Sequence, residues 1–453
     1  MKKIIMISVI IICMLSFAAC ADNQKDILED TETAAATSGT EPESESGISD
    51  KIPSEHEAIA NEYVQTLVNK EYEKLRQQFT YAAAIEEAFA NDGLMTEIES
   101  TIEGLGTFKT IKEFETAIQQ GHSVFVYPCV FESGGFKISI AINSDGEIAS
   151  LNISPDASAA EAELPPDNVI ETEVPLVIDE SHQLPGILTC PEGEGEGEYP
   201  VVILVHGSGT TNKDEYVQGN TPFRDIAWGL AKQGIATYRY DKRNYVYPEL
   251  SDDNFTVYDE TINDVISAYE MVKGLDGVNS KQIYILGHSL GGYLMPLIAR
   301  EADADGYIIM AGCVSKLSDV IRYQLDFFAS IDGEVTEEEE KSLSEQLTAL
   351  EEQLDTPYWE FLEAYDTIAE AQTIEKPVLV LQGEEDYQVT MDEFKQWNDA
   401  FEGKSNWSLK SYEGLTHLFT TGLKENAGTD YVPAQRMNQQ VIDDIASFIV
   451  EKK

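Results

Sequence analysis

Positive charge is what this chain most lacks. Its 453 residues carry 30 Lys and Arg against 82 Asp and Glu, a formal net charge of -52. A polyanion is repelled by nucleic-acid phosphates and by anionic lipid heads, which argues against both as ligands. Cysteine is sparse too, five in all, and Cys13 and Cys20 fall in the first twenty residues. The other three, Cys129, Cys190 and Cys313, are odd in number and fit no zinc-ligand spacing. One disulfide with a free thiol, or three free thiols, both stay open. No Asp-rich loop has calcium-ligand spacing, so no metal or other cofactor is expected. Histidines number six, few enough that a catalytic base can be sought by elimination.

Apolar residues concentrate at the start. Lys2 and Lys3 are followed by Ile4 to Phe17, an almost wholly apolar run. It is too short to span a bilayer comfortably and is flanked like a signal peptide. It closes on Phe17-Ala18-Ala19-Cys20, which resembles the lipobox of bacterial lipoproteins, whose Cys is diacylated and becomes the mature N-terminus. Residues 1–20 are therefore expected to be a lipoprotein signal peptide with Cys20 as the lipidation site. The alternative is an ordinary secretory signal ending in small residues. Either way the protein leaves the cytoplasm; the resemblance implies a lipid anchor on the outer face of the cell membrane as its membrane contact. Residues 21–52 are acidic and poor in large apolar side chains. They bury too little surface to offset their chain entropy and read as a disordered tether.

A small α+β domain is expected over 53–155. Ile59, Tyr63 and Leu67, then Tyr72, Leu75 and Phe79, recur at helical spacing. Ser123 to Val130, Phe136 to Ile142 and Glu147 to Ile153 alternate like strands, with turns at Glu132-Ser133-Gly134-Gly135 and Asn143-Ser144-Asp145-Gly146. The segment resembles the cone-shaped modules of the nuclear-transport-factor or cystatin kind. His56 and His122 stand alone in it and are expected at the surface or in turns, so a spacer or docking role is the simplest reading.

After a Pro- and acid-rich connector, 156–168, the pattern changes to strands alternating with helices. Val201–Val205, Ile235–Tyr240, Gln282–Leu286, Tyr307–Met310 and Val378–Leu381 are short apolar runs; Phe223–Gln233, Thr261–Val272 and Gly291–Ala302 have helical character. Such alternation predicts a mostly parallel sheet covered on both faces. Between Cys313 and Thr373 the strand signal stops. This stretch follows the expected strand Tyr307–Met310 and reads as a helical lid, the alternative being a surface excursion away from substrate.

Gly287-His288-Ser289-Leu290-Gly291 lies between an expected strand and an expected helix, the setting of a Gly-x-Ser-x-Gly nucleophile elbow. The Ser occupies a strained turn, and the glycines remove side chains that would collide with the neighbouring strand and helix. A serine hydroxyl near neutral pH needs a base. His56, His122, His182, His206 and His288 are placed wrongly for it, while His417 follows the last expected strand, as the order Ser, acid, His of this fold requires. The acid falls in Gln382-Gly383-Glu384-Glu385-Asp386-Tyr387-Gln388-Val389, where three carboxylates compete. A carboxylate there would hold the imidazole tautomer and stabilise the imidazolium. Asp386 is chosen because the segment resembles the Gly-x-x-Asp-x-x-Val pattern of such hydrolases; Glu384 and Glu385 are then solvated loop charges. An oxyanion hole needs two backbone N–H donors, and Leu290 and Ser208 of His206-Gly207-Ser208-Gly209 are the expected pair. No Gly-Lys-Ser/Thr triplet follows that loop, so it is not a phosphate-binding loop.

From residue 169 to the C-terminus the chain resembles bacterial α/β-hydrolases of the dienelactone-hydrolase and serine-aminopeptidase-like group, especially esterases exported as lipoproteins. The matching residues are His206-Gly207-Ser208-Gly209, Tyr240-Asp241-Lys242-Arg243, Gly287 to Gly292, Asp386 and His417. Asn244 and Thr210 stand where relatives usually have Gly and often have Pro. Asp241 and Arg243 are expected to form a structural ion pair beneath the site. The resemblance implies an α/β-hydrolase fold over 169–453, with the lid at about 313–373. It also implies a serine-dependent hydrolysis of small-molecule carboxylic esters through an acyl-enzyme on Ser289. An aminopeptidase or amidase using the same triad is the alternative within the fold, and a non-catalytic surface binding protein the alternative outside it.

Overall fold

The computed structural model describes residues 52–451, except 91–92, 120, 161–162, 193–198, 253, 332, 334–336 and 428–430. The expected signal peptide, Cys20 and nearly all of the acidic tether lie outside the described residues. No helix among the described residues is long and apolar enough to cross a membrane. The chain divides into two compact units, with the junction at Ala162/Glu163.

The first unit opens with four helices, α1 (Ser54–Val68), α2 (Tyr72–Gln78), α3 (Ala83–Ala90) and α4 (Gly93–Gly104). Five strands follow: β1 (Phe108–Ile111), β2 (Glu115–Gln119), β3 (His122–Phe131), β4 (Gly134–Ile142) and β5 (Ile148–Pro155). They form an antiparallel sheet ordered β1-β3-β4-β5, with β2 also paired to β3. Tyr63 and Leu67 of α1 share a core with Phe125, Tyr127, Ile138 and Ile140, as their spacing predicts. His56 corrects an expectation. It is buried on the inner face of α1, where its Nδ1 meets Ser123 Oγ at 2.9 Å; lying four residues before Ala60, it shares the face that packs on the sheet.

The second unit is built on eight strands ordered β15-β14-β13-β12-β10-β11-β9-β6. In chain order these are β6 (Val169–Glu173), β9 (Gly186–Pro191), β10 (Tyr199–Val205), β11 (Ala236–Tyr240), β12 (Val278–His288), β13 (Gly306–Met310), β14 (Val378–Gly383) and β15 (Trp407–Tyr412); β7 (Leu176–Val177) and β8 (Gln183–Leu184) form a separate small ribbon. From β11 to β15 the pairing is parallel, and β9 and β6 add an antiparallel edge. Alternate residues feed two cores, as period two demands. Val201, Ile203, Ile285, Ile309 and Val380 face one layer, and Val202, Leu204, Leu286, Ile308 and Leu381 the other.

The crossovers supply α5 (Pro222–Ala231), the short α6 (Arg243–Val246), α7 (Asn263–Val272), α8 (Leu290–Tyr293) and α9 (Met295–Glu301). A π turn at Tyr258–Ile262 precedes α7, where an uninterrupted helix is expected from Thr261. Between β13 and β14 come α10 (Leu317–Ser330), α11 (Glu337–Gln353), α12 (Pro357–Ala364) and α13 (Thr367–Ala371), all helical as expected. The helices α14 (Met391–Phe401) and α15 (Gln439–Glu451) complete the unit.

One buried cation ties the antiparallel edge to the parallel sheet. Arg239 of β11, 1% exposed, donates to Asp214 Oδ1 at 2.8 Å, to Thr189 Oγ1 of β9 at 2.6 Å and to Glu171 Oε1 of β6 at 2.8 Å. Trp228 Nε1 of α5 donates to the same Glu171 oxygen at 2.7 Å. Removing one member of such a buried set leaves the others uncompensated. Arg239→Met is therefore expected to lower unfolding stability by about 3 kcal/mol, read as a lower urea midpoint at unchanged slope.

Candidate active site

The site forms where strands β10, β12 and β14 end on the same edge of the sheet. After β12 the backbone turns sharply into α8, and Ser289 takes φ 52° and ψ -114°. That is the left-handed region, costly for any residue with a Cβ and kept where the surrounding structure over-determines it. Gly287 and Gly291 make the turn possible. A methyl on Gly287 would run into the backbone of Gly291, and one on Gly291 into the carbonyls of Val205 and His206 at the end of β10. The Ser289 amide donates to Met310 O of β13 at 2.9 Å. Leu290 is the first residue of α8, so its N–H has no partner within the helix.

Asp386 lies on the loop after β14, the seventh strand of this sheet in chain order, and is buried. Its Oδ1 accepts from the amides of Gln388 (2.8 Å) and Val389 (2.9 Å), and its Oδ2 from Gln382 Nε2 (2.9 Å). The same Oδ2 meets His417 Nδ1 at 2.7 Å. A carboxylate accepts only, so Nδ1 carries the proton and the outer Nε2 of a neutral ring is left as base. The chain can bring His417 this close because Gly383 lies against the carbonyls of Leu415 and Thr416, where no Cβ would fit. The neighbouring carboxylates are held elsewhere: Glu384 accepts from Ser411 Oγ at 2.7 Å and Glu385 from the Lys424 amide at 3.1 Å.

His288, the chain neighbour of Ser289, lies against this pair. The ring of His288 lies 4.7 Å from that of His417, and its Nε2 is 3.0 Å from the His417 carbonyl. Among the described residues no hydrogen bond joins the Ser289 hydroxyl to the His417 ring. In ligand-free sites that bond is commonly long and tightens when substrate arrives.

His206-Gly207-Ser208-Gly209 follows β10 and passes close to the elbow; a Cβ on Gly207 would be 3.1 Å from Ser289 Cβ. The Gly207 amide is taken by Glu215 Oε1 at 2.7 Å, and Ser208 is half-buried beside it. Asp241 and Arg243 do not pair with each other as expected. Asp241 accepts from the Lys213 amide at 2.7 Å, and Arg243 binds Asp264 of α7, with Nε 3.2 Å from Oδ2. The two side chains leave the chain on either side of Lys242 and meet different elements.

Glu215, which no sequence motif singles out, is the buried acid beneath the elbow. It holds φ 52° and approaches His288 Nδ1 at 3.0 Å, an ionic contact rather than an aligned hydrogen bond. His288 thus faces a carboxylate at one nitrogen and a carbonyl at the other, and both positions call for N–H. Burial pushes its pKa down, but Glu215, aided by the His417 carbonyl and Asp386, outweighs burial and raises it above the usual 6.5. Burial likewise pushes Glu215 up, and His288, His206 and the Gly207 amide more than reverse this, leaving it below the usual 4.5. His206 differs: burial dominates, and its pKa falls to about 4, so it stays neutral, with Nε2 donating to the Asn212 carbonyl at 3.1 Å. No group of three or more His, Cys, Asp or Glu able to hold a metal occurs among the described residues. Cys129, Cys190 and Cys313 are unpaired thiols.

The His288–Glu215 pair predicts a pH signature. A histidine with a raised folded pKa adds stability that is complete below about 6.5 and is lost as pH rises through the raised value; the lowered Glu215 adds stability that is lost as pH falls through its lowered value. The melting temperature of the wild type should therefore decline from pH 6 towards pH 9, and His288→Gln should flatten that decline. Equal slopes in the two proteins would contradict the pairing.

Parts of the chain match known families and proteins. Residues 255–430 match the prolyl oligopeptidase family, and residues 60–151 match a family of unknown function, DUF3887. Esterase EstD of Thermotoga maritima is 30% identical over 358 residues, covering 77% of this chain and 84% of that protein. Among solved structures, the Pyrococcus furiosus esterase Pf2001 has a TM-score of 0.44 at 15% identity, covering 64% of this chain and 95% of its own. Est1E from Butyrivibrio proteoclasticus has a TM-score of 0.41 at 18% identity, covering 62% and 98%. An elbow serine after β12, an acid after β14 and a histidine after β15 on a sheet of this order, together with the extended likeness to EstD, place the chain in the α/β-hydrolase family of serine hydrolases to which esterase EstD belongs.

Proposed function

We propose that the protein hydrolyses carboxylic esters through an acyl-enzyme on Ser289, with His417 as general base and Asp386 as its orienting acid. The observation that carries this reading is the buried, fully bonded Asp386–His417 pair, which leaves Nε2 as acceptor on the same edge of the sheet as the strained Ser289. The Ser289 Oγ attacks the acyl carbon while His417 Nε2 takes its proton. The N–H groups of Leu290 and Ser208 receive the oxyanion, and the imidazolium returns the proton to the departing alkoxide. Water, deprotonated by the same ring, then cleaves the acyl-enzyme. The likeness to a named esterase favours esters over amides. The match of residues 255–430 to the prolyl oligopeptidase family supports peptide or amide cleavage by the same triad as the second reading.

The soluble protein from residue 21 onward should turn over p-nitrophenyl acetate, butyrate or octanoate. Ser289→Ala and His417→Ala should each lower kcat by about 10⁴-fold or more. Amide turnover exceeding that of every ester would support the second reading, and variants as active as wild type would refute both.

We further propose that the protein is exported and held on the outer face of the membrane by acylation of Cys20. The support is the sequence Phe17-Ala18-Ala19-Cys20 behind an apolar run. In cells fed a labelled fatty acid, the wild type should take up label and fractionate with membranes, and Cys20→Ala should do neither. Label retained by the variant would overturn the anchor.

A further inference from the structure

The resemblance includes Lys242 in Tyr240-Asp241-Lys242-Arg243 but gives it no role, yet this lysine holds the loop carrying Ser208. Lys242 is 2% exposed. Its Nζ donates to Gly207 O at 2.7 Å, to Gly209 O at 3.0 Å and to Glu260 Oε1. Three acceptors surround a group with three protons, so its hydrogen-bonding capacity is fully used. Its own amide donates to Thr211 O at 3.1 Å, fastening the far end of the same loop. Glu260, 1% exposed, lies in the π turn before α7 and accepts at Oε2 from Tyr358 OH of α12 at 2.7 Å. Single π turns inside helices gather at functional sites.

Two consequences follow from peptide geometry. In a trans peptide the C=O and the next N–H point in opposite directions. With the Gly207 carbonyl drawn to Lys242, the Ser208 N–H is turned away from it. The Gly207 amide, in the preceding peptide, is meanwhile fixed on Glu215, so Gly207 is held at both its N–H and its C=O. A cation on a carbonyl oxygen also polarises the peptide bond, which strengthens its N–H as a donor. A buried Lys–Glu pair is by itself a poor source of stability, since desolvation offsets most of the attraction.

We propose that Lys242 is a positioning residue of the oxyanion hole. It orients and polarises the Gly207–Ser208 peptide so that the Ser208 N–H faces the developing oxyanion, and through Glu260 and Tyr358 it ties that peptide to α12, between β13 and β14. The proposal rests on Ser289 being the nucleophile. Substrate that moves α12 would then act on the hole through one buried chain of three side chains.

The test is the double variant Lys242→Met/Glu260→Met, which removes both buried charges together, assayed beside Ser289→Ala. Measured are kcat and KM on a p-nitrophenyl ester, affinity for phenylboronic acid, whose tetrahedral serine adduct occupies the hole, and the melting curve. The expected result is a cooperatively folded protein whose kcat falls by about 10²- to 10³-fold, the usual effect of losing one oxyanion donor. KM should change little, and boronate binding should weaken alongside kcat. A folded double variant with wild-type kcat and boronate affinity, while Ser289→Ala is inactive, overturns the role of Lys242 alone. Turnover that survives Ser289→Ala overturns the nucleophile assignment and this proposal with it. Should the double variant fail to fold, Tyr358→Phe decides: a several-fold lower kcat at unchanged KM and melting temperature supports the tie, and unchanged kcat overturns it.

Discussion

Everything at this site depends on backbone approaching backbone more closely than a methyl group allows. Gly287 and Gly291 let the end of β12, the start of α8 and the end of β10 meet, which forces Ser289 into a left-handed turn and exposes it above the sheet. Gly383 lets the 415–416 backbone lie on the end of β14, which brings His417 within 2.7 Å of Asp386. These contacts are steric and leave little freedom. A side chain at any of the three would part the strand ends before any chemistry was lost directly.

On that scaffold the polar groups are fixed by saturation. Asp386 accepts from two amides, a side-chain amide and His417. Glu215 and His288 pair, and His288 also faces the His417 carbonyl, so one buried charge pair touches the His417 loop and the Gly207 amide at once. Across the loop, Lys242 takes the Gly207 and Gly209 carbonyls. The segment 206–209 is therefore held at its N–H by an anion and at its C=O by a cation. Such rigidity would suit the proposed oxyanion hole, which must be in place before charge develops so that no reorganisation is needed in the transition state.

The sequence made part of this legible. Buried parallel strands are short apolar runs, and five were found that way; the elbow carries its own spacing, and the order Ser, acid, His left a single histidine. β15 gives no apolar run because Trp407–Tyr412 is an edge strand with alternating exposure, and Ser408, Lys410 and Ser411 interrupt it. β6 and β9 were missed because their partner lies across an antiparallel edge with no local turn signal. Burial of His56 depends on packing against β3, 67 residues away. Glu215 and Glu260, and the contacts of Lys242, are invisible in the sequence for a similar reason. Their partners are distant in the chain, and a lone Glu or Lys in a charged sequence reads as solvated until the fold shows what surrounds it. The supposed Asp241–Arg243 pair failed because adjacency in sequence was taken for adjacency in space.

The central claim is that Ser289 is a nucleophile made reactive by its setting. Treatment of the protein with a fluorophosphonate, followed by peptide mass mapping, tests it most directly. The account predicts one adduct, on the peptide carrying Ser289, absent from Ser289→Ala and strongly slowed in His417→Ala. An adduct on another residue, or none in a folded wild type, would contradict it.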